Sequence, residues 1–203
     1  AAETAIFINA MDSLVNARGD TAALIAALDW HQVADLLDVG SGPATYPIAL
    51  CRQFPGIRAV IFDLPGTLKI TASFVQAAGM SERMGLIAGD YRIESVPGFY
   101  DAVLLSNIIH GENSGRNRSF LHKLARNLKP NGKIIIKDHI LDESRANPPS
   151  GAIFSLLMLL TTEGGRCYSF GEIKSWLEDA GLSRVWQVDL PPPLTSSLVI
   201  AER

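Results

Sequence analysis

Acidic side chains end several short apolar runs of the sequence. Asp38, Asp63, Asp90 and Asp138 each follow such a run, and a further run ends in residues 107–110. Ligands of open α/β sheets bind outside the carboxyl ends of the strands, so the residues at these points are the informative ones. Helix capping is the alternative explanation for some of these acids, but carboxylates at so many run ends favour a ligand-binding site.

The stretch LLDVGSGPATYPIAL (36–50) is typical of a buried strand, a glycine turn and a helix. A dinucleotide site prefers three glycines in the pattern GxGxxG, whereas this stretch has Gly40, Gly42 and then Thr45. Asp38 lies two residues before the first glycine, where it would repel a pyrophosphate. A cationic ligand fits better, and S-adenosylmethionine carries both an ammonium and a sulfonium group. An NAD-dependent oxidoreductase stays open as the less favoured alternative.

Two later acids fit other parts of the same ligand. Asp63 is placed to accept hydrogen bonds from ribose hydroxyls, although an acid there would suit NAD as well. Asp90 can accept from an adenine amino group, and Tyr91 offers a ring to the adenine face. These residues therefore predict an adenosine-containing cofactor.

Apolar runs alternate with helical segments along most of the chain. Near-continuous Val, Ile and Leu predicts strands buried on both faces, at 34–40, 57–65, 84–91, 100–110 and 132–141. Helices are predicted at 4–30, 44–53, 67–78, 114–128, 149–160 and 169–182, the last with Ser169 and Glu172 as a capping pair. Two closing strands, 183–190 and 198–203, form a hairpin. The pattern predicts an α/β fold: a Rossmann-like, doubly wound, mostly parallel sheet with a C-terminal antiparallel strand.

The composition fits one globular domain. The chain has 203 residues, 47% hydrophobic and 19% charged, so we divide it only into leading helices (1–31) and a cofactor-binding domain (32–203). The formal net charge of −3 argues against nucleic acid as a partner. The longest apolar stretch, 152–160, is far shorter than the roughly 20 residues of a membrane span. Cys51 and Cys167 have no metal-type spacing, so we expect reduced thiols in a soluble cytoplasmic protein.

Several motifs, taken in order, resemble one family. They are LLDVGSGPATYPIAL, VIFDLP, ERMGLIAGDY, YDAVLLSNIIHGEN, NLKPNGKIIIKDHILDE and TTEGGRCYSFGEIKSWLEDAGL. The set spans nearly the whole chain and is similar to the small-molecule O-methyltransferases related to plant caffeic acid and animal acetylserotonin methyltransferases. The resemblance implies a class I methyltransferase fold with S-adenosylmethionine as methyl donor and S-adenosylhomocysteine as product. It also implies a hydroxyl of a small aromatic or polycyclic metabolite as acceptor.

The resemblance implies roles for individual residues. His110 falls at the general base, and a neutral imidazole of pKa about 6.5 can take a proton from a phenol; a buried, backbone-bonded histidine is the alternative. Asp138 falls where the family has a glutamate that orients this histidine. The implied cofactor contacts are Asp38, Gly40, Gly42, Asp63, Leu64, Asp90, Tyr91 and Ser106. The implied acceptor contacts are Phe7, Met11 and Met158, for which core packing is the alternative.

Three positions depart from the family pattern. Gly111 stands in place of an aspartate, Ser106 in place of a lysine that contacts the cofactor, and Cys167 in place of a second glutamate. These departures leave room for methyl transfer to carbon or nitrogen, or for a domain that binds the cofactor without turnover. We expect no metal site, because the acids and histidine near residue 139 are strand neighbours that point to opposite faces.

The resemblance further implies an N-terminal winged-helix dimerisation domain that the given sequence lacks. The chain then corresponds to the catalytic half of a longer protein, which we expect to form a homodimer through that domain. The sequence has no heptad repeat and no evident long apolar edge, so we expect residues 1–203 alone to be monomeric.

Overall fold

A seven-stranded sheet forms the centre of the computed structural model, which describes residues 2–203. The strands are β1 (Asp35–Val39), β2 (Arg58–Asp63), β3 (Met84–Ala88), β4 (Tyr100–Ser106), β5 (Leu128–Asp138), β6 (Ile140–Leu141), β7 (Tyr168–Ser169), β8 (Ser183–Asp189) and β9 (Ser197–Glu202). The helices are α1 (Ala2–Arg18), α2 (Asp20–Ala27), α3 (Thr45–Gln53), α4 (Pro65–Ala77), α5 (Ser114–Ala125), α6 (Pro149–Thr161) and α7 (Phe170–Asp179).

The strand order is β3–β2–β1–β4–β5–β9–β8. Strands β1 to β5 run parallel to one another, whereas β9 is antiparallel to both β5 and β8. This arrangement confirms the predicted Rossmann-like sheet with its closing hairpin. The strand order reverses beside β1, so the carboxyl ends of β1 and β4 border the crevice in which such sheets bind ligands.

Several predicted elements have different ends in the structure. The strand predicted at 100–110 stops at Ser106, because Asn107 takes a positive φ of 57° and a short 3-10 turn follows at Ile109–Gly111. The strand predicted at 132–141 begins at Leu128 and ends at Asp138. Its last predicted residues form β6, which pairs with β7 in a separate two-stranded sheet. The break in the ladder turns the chain out of the sheet directly after Asp138.

The two faces of the sheet carry different helices. Residues such as Leu36 pack towards α1 to α4, and residues such as Leu37 pack towards α5 and α7. Because alternate strand residues point to opposite faces, Asp38 and Lys137 lie on the first face and Asp138 lies on the second. Polar groups at the carboxyl edge are therefore divided between two environments.

Helix α6 is poorly covered. Of its 13 residues only Gly151 is fully buried. Large apolar side chains between 49% and 83% exposed lie along it: Ile153, Leu156, Leu157, Leu159 and Leu160. Helix α1 likewise exposes Ile6, Phe7 and Leu14. The sequence did not predict these exposed apolar side chains, because helix exposure depends on what packs beside the helix, and the expected monomer of residues 1–203 stays a prediction. Among residues 2–203, no helix combines the length and the apolar character needed to cross a bilayer.

Candidate active site

The turn between β1 and α3 contains three residues with left-handed backbone: Gly40 (φ 69°), Gly42 (φ 58°) and Ala44 (φ 61°). A Cβ on Gly40 would lie 2.3 Å from Cδ1 of Ile108, the end of a side chain that would have to move. A Cβ on Gly42 would meet nothing within 4 Å. Gly40 is thus required mainly by its left-handed backbone, while Gly42 also leaves open space in which a ligand can approach the backbone.

Asp38 is buried at the end of β1, with 1% of its surface exposed. Its Oδ2 accepts a hydrogen bond of 2.5 Å from the Ser41 hydroxyl. Its Oδ1 is buried and accepts no hydrogen bond from any of residues 2–203. Burial, with the nearby charge of Asp63, raises the pKa of Asp38 to about 7 although the Ser41 bond opposes this. A buried carboxylate oxygen without a donor fits a cationic ligand group.

Asp63 connects the end of β2 to the glycine turn. Its Oδ2 accepts the backbone N–H of Gly42 at 2.9 Å, and its Oδ1 accepts the N–H of Leu64 at 2.7 Å. Burial raises the pKa of Asp63 against the effect of these hydrogen bonds. Leu64, 45% exposed, precedes α4. Each carboxylate oxygen has a second lone pair, so Asp63 can also accept from a ligand hydroxyl.

Asp90 and Tyr91 follow β3 and line an open cavity of about 610 Å³. Asp90 is held by the Arg92 guanidinium, with Nη2 2.7 Å from Oδ2, and hydrogen bonding by Arg92 lowers the pKa of Asp90. The Tyr91 hydroxyl lies 3.1 Å from Oε1 of the buried Glu112, and its ring packs on Phe120 with centroids 4.6 Å apart. Both predicted cofactor residues are therefore already engaged by protein groups.

Ser106 ends β4 beside an ionic cluster that no sequence motif predicts. Lys137, the register partner of Ser106, is fully buried and places Nζ 2.9 Å from Oδ2 of the fully buried Asp20. Asp20 also accepts from Arg18 at 2.8 and 3.0 Å and from the Tyr46 hydroxyl at 3.2 Å. The cluster joins the start of α2, the start of α3 and the end of β5.

His110 and Asp138 form a close pair. His110 lies in the 3-10 turn after β4, and its Nδ1 is 2.8 Å from Asp138 Oδ1. The His110 side chain is 14% exposed and that of Asp138 is 1% exposed. Burial alone would lower the pKa of His110, but the charge and the hydrogen bond of Asp138 outweigh it and raise that pKa. A carboxylate partner places the neutral ring's proton on Nδ1, so Nε2 carries the lone pair that can accept a proton.

The glycine pair of TTEGGRCYS packs directly against this turn. A Cβ on Gly165 would lie 2.3 Å from the carbonyl oxygen of His110, so a glycine is required there. Cys167 is buried, and burial together with the charge of Asp138 raises the pKa of its thiol to about 12. Cys167 is therefore a neutral neighbour of the pair. A Cβ on Gly111 would meet no atom within 4 Å.

The predicted acceptor residues lie on two separate helices. Phe7 and Met11 are on α1, which packs against α2, α3 and α4, whereas Met158 is on α6, which packs against β6 and the 3-10 turn. Phe7 is 62% exposed, and the other two are half-buried. Helix α1 is tied to the glycine turn, because Asp12 Oδ1 accepts a 2.6 Å bond from the Thr45 hydroxyl. The acceptor roles stay predictions.

No group of three or more His, Cys, Asp or Glu side chains within residues 2–203 is arranged to hold a metal ion. The chemistry that the described residues offer is of another kind. The first face of the sheet presents a carboxylate with one oxygen that accepts no hydrogen bond from residues 2–203, and the second presents an imidazole held by a carboxylate. Together they can bind a cation and accept a proton at neighbouring strand ends.

Sequence comparison gives a consistent result. The family model of the O-methyltransferase domain matches residues 1–183. The 3-hydroxy-5-methyl-1-naphthoate 3-O-methyltransferase of Streptomyces sahachiroi is 34% identical over 176 residues, covering 87% of this chain and 51% of the relative. The L-tyrosine C(3)-methyltransferase of Streptomyces lavendulae is 28% identical over 183 residues, covering 89% and 50%.

Structural comparison agrees with the family match. PigF of a Serratia species, an S-adenosyl-L-methionine-dependent methyl transferase, is 28% identical over 176 residues, covering 86% of this chain and 50% of the relative. Its solved structure with SAH superposes with a TM-score of 0.89 at 26% identity, over 98% of this chain and 58% of that one. The chain spans about half the length of these curated relatives. Because the family model matches residues 1–183, the chain belongs to the O-methyltransferase domain family, as the sequence motifs predicted.

Proposed function

We propose that the protein transfers a methyl group from S-adenosylmethionine to a hydroxyl of a small aromatic or polycyclic metabolite, with His110 as general base. The observation that carries this proposal is the pair of His110 Nδ1 and Asp138 Oδ1, 2.8 Å apart at the carboxyl edge of the sheet. This bond leaves Nε2 as the basic atom. Family membership and the buried, unpaired oxygen of Asp38 support the cofactor.

The residues present fit the cofactor's polar groups. Asp38 Oδ1 has the charge and the vacant lone pairs to accept from its ammonium, and Asp63 has lone pairs for the ribose hydroxyls. Gly42 leaves its Cα side open, and Leu64, Asp90, Tyr91 and Ser106 lie at the ends of the neighbouring strands. PigF, 26% identical in its solved structure, is bound to SAH.

When bound, S-adenosylmethionine supplies a methyl group made electrophilic by the sulfonium. The chain's own residues then have two tasks. His110 Nε2 would accept the proton of the acceptor hydroxyl as the new C–O bond forms and the bond between the methyl carbon and sulfur breaks, which releases S-adenosylhomocysteine, and Asp138 would stabilise the resulting imidazolium. Base assistance contributes about 10²–10⁴-fold, and holding the reacting atoms in line contributes up to about 7–11 kcal/mol. Positioning is therefore the larger effect.

The acceptor class is supported by the relatives rather than by a pocket. The 34% identical relative is named for a hydroxynaphthoate, which is a fused aromatic phenol. The predicted acceptor residues Phe7, Met11 and Met158 offer apolar side chains that would suit such a flat acceptor.

Carbon methylation is the second candidate. A relative of similar coverage is named as a tyrosine C(3)-methyltransferase, and this chain has Gly111 and Cys167 where the resemblance implies acids. A ring carbon activated by an ionised neighbouring hydroxyl would use the same base, so the two reactions differ in the atom that receives the methyl group.

The full-length protein with ¹³C-methyl-labelled S-adenosylmethionine and a panel of naphthols and phenols tests the function. The chemical shift of the transferred methyl distinguishes oxygen, nitrogen and carbon attachment, and we expect oxygen.

Calorimetry tests the cofactor: we expect S-adenosylhomocysteine to bind and NAD not to bind. Asp63→Ala should cost about 1.5–3 kcal/mol of binding, whereas Asp179→Ala, on the remote helix α7, should leave binding unchanged. NAD binding tighter than S-adenosylhomocysteine would reject the proposal.

We further propose that an N-terminal winged-helix domain precedes this chain and joins two copies into a homodimer. The chain covers about half of its relatives' length, and the exposed apolar side chains of α1 and α6 would suit a covering segment. Sedimentation of the full-length protein should show a dimer, and Leu160→Glu should weaken it. A monomeric full-length protein would reject this assembly.

We also propose that the protein is located in the cytoplasm, in keeping with its two free thiols.

A further inference from the structure

Phe154 of α6 contacts two imidazole rings. Its centroid is 4.9 Å from that of His110, with the ring planes at 85°, and 4.5 Å from that of His139, with the planes at 43°. Perpendicular and tilted arrangements are those that aromatic pairs prefer. One phenyl ring therefore contacts both His110, which is hydrogen-bonded to Asp138, and His139, which follows Asp138 in the chain.

Neighbouring contacts fix the position of Phe154. Ser155 Oγ accepts the backbone N–H of Cys167 at 3.0 Å. Gly151 approaches β6 so closely that a Cβ would lie 2.9 Å from Cδ2 of Leu141. These contacts hold the inner side of α6 on both sides of Phe154, although the outer side of the helix is exposed.

A single hydrogen bond does not fix the orientation of the His110 ring. Its bond to Asp138 Oδ1 restrains Nδ1, but the ring can still pivot about that bond and carry Nε2 away from an acceptor. Asp138 Oδ1 also accepts the backbone N–H of His139 at 2.8 Å. The His139 ring has its own polar contact, with Nδ1 3.2 Å from the carbonyl oxygen of Thr195. The ring of Phe154 contacts both imidazoles.

We propose that Phe154 is a positioning residue that holds the His110 ring against Asp138. Its catalytic consequence rests on the proposed role of His110 as base, but the positioning itself does not require turnover. A residue that only lines the acceptor pocket would change acceptor binding and leave the resting His110 ring undisturbed. The two roles therefore differ in the acceptor-free protein.

Nuclear magnetic resonance of the acceptor-free protein with ¹⁵N-labelled histidine tests the positioning. The chain has four histidines, and His110→Ala assigns the resonances of His110. We expect a protected Nδ1 proton and a single tautomer in the wild type. Phe154→Leu should speed exchange of that proton with water and mix the tautomers, whereas Phe154→Tyr, which keeps the ring, should restore the wild-type signals. Phe99→Leu, at a residue 67% exposed and distant in the fold, is the matched control.

Kinetics of the full-length protein give the second readout. Phe154→Leu should lower kcat by about two- to tenfold, the range expected for loss of an aromatic pair, with an unchanged Kd for S-adenosylhomocysteine. If Phe154→Leu fails to fold, Phe154→Met takes its place in both experiments. Unchanged exchange and tautomer of His110 in the folded variant would overturn the proposal. A changed acceptor KM with unchanged kcat would also overturn it. Unchanged turnover of His110→Ala would instead reject the proposed base and leave the resonance result to decide the positioning.

Discussion

Two buried aspartates on the same face of the sheet differ in how completely they are hydrogen-bonded. Asp20 accepts from Arg18 and Tyr46 and forms an ion pair with Lys137 at 2.9 Å. Asp38 accepts only from Ser41, and its second oxygen has no donor within residues 2–203. Both carboxylates have lost almost all contact with water, so the difference lies in their protein partners.

The pKa values of the two carboxylates are shifted in opposite directions. Burial would raise the pKa of Asp20, but the hydrogen bonds from Arg18 and the charge of the ion-paired Lys137 outweigh it, and the pKa lies below its usual value. Burial dominates at Asp38 and raises its pKa to about 7. A buried carboxylate whose two oxygens both accept hydrogen bonds is compatible with a stable fold. A buried carboxylate with one oxygen lacking a donor lowers the free energy of unfolding until a ligand supplies that donor. The comparison assigns Asp20 to structure and Asp38 to binding.

The largest expected effect is on stability, at the saturated aspartate. Lys137→Met removes one partner of a buried ion pair and should lower the free energy of unfolding by about 3–5 kcal/mol. Urea denaturation of residues 1–203 measures this. The double variant Lys137→Met/Asp20→Asn should lose less, because no unpaired charge remains in the core. A loss within roughly 0.5 kcal/mol, as for a surface residue, would show that the ion pair does not stabilise the fold.

The next effect is on binding, at the unsaturated aspartate. Asp38→Asn should weaken S-adenosylhomocysteine by about 1.5–3 kcal/mol, or roughly ten- to a hundredfold, because the amide cannot neutralise an ammonium. The ligand-free protein should be no less stable, since the change removes a buried ionisable group. Calorimetry measures the first quantity and urea denaturation the second. Asp35→Asn, near the solvent-exposed start of the same strand, is the control and should bind normally.

A smaller effect is the pH dependence of this binding. Because the pKa of Asp38 is raised to about 7, the ligand-free side chain is largely protonated at pH 6, and a cationic ligand favours the ionised form. Binding should therefore release a proton at pH 6, and affinity should rise with pH until it levels off above about pH 7.

The stability of the ligand-free protein should depend on pH with the opposite sign. The unfolded chain ionises near the ordinary value of 3.8 and the folded chain near 7, so the contribution of Asp38 to stability falls as pH rises through that window.

Calorimetry at pH 6 in two buffers of different ionisation enthalpy measures the released proton. Asp38→Asn should abolish the release, and methylthioadenosine, which lacks the amino group, should bind without it. Equal heats in both buffers for the wild-type protein would contradict the assignment of Asp38 to the ammonium.

The sequence contains more information about strands than about the contacts between helices. Continuous apolar runs and the glycine turn predict the parallel sheet, because strands buried on both faces need such residues. The position of His110 after one strand and Asp138 at the end of another predicts their proximity, since parallel strands end at one edge. The ion pair of Asp20 and Lys137 joins elements far apart in the chain, and no local pattern marks it. Phe154 likewise has ordinary helical neighbours, and only packing of α6 reveals its contact with His110.

The central claim is that His110 takes the proton of an acceptor hydroxyl, and one measurement tests it most directly. It is kcat at fixed pH across phenols of graded acidity, for the full-length wild type and for His110→Ala. For weakly acidic phenols the variant should be slower by about 10²–10⁴-fold, with unchanged affinity for S-adenosylhomocysteine. The two lines should converge as the phenol becomes more acidic, because an ionised phenolate needs no base. Parallel lines, or undiminished turnover of His110→Ala on every acceptor, would contradict the account.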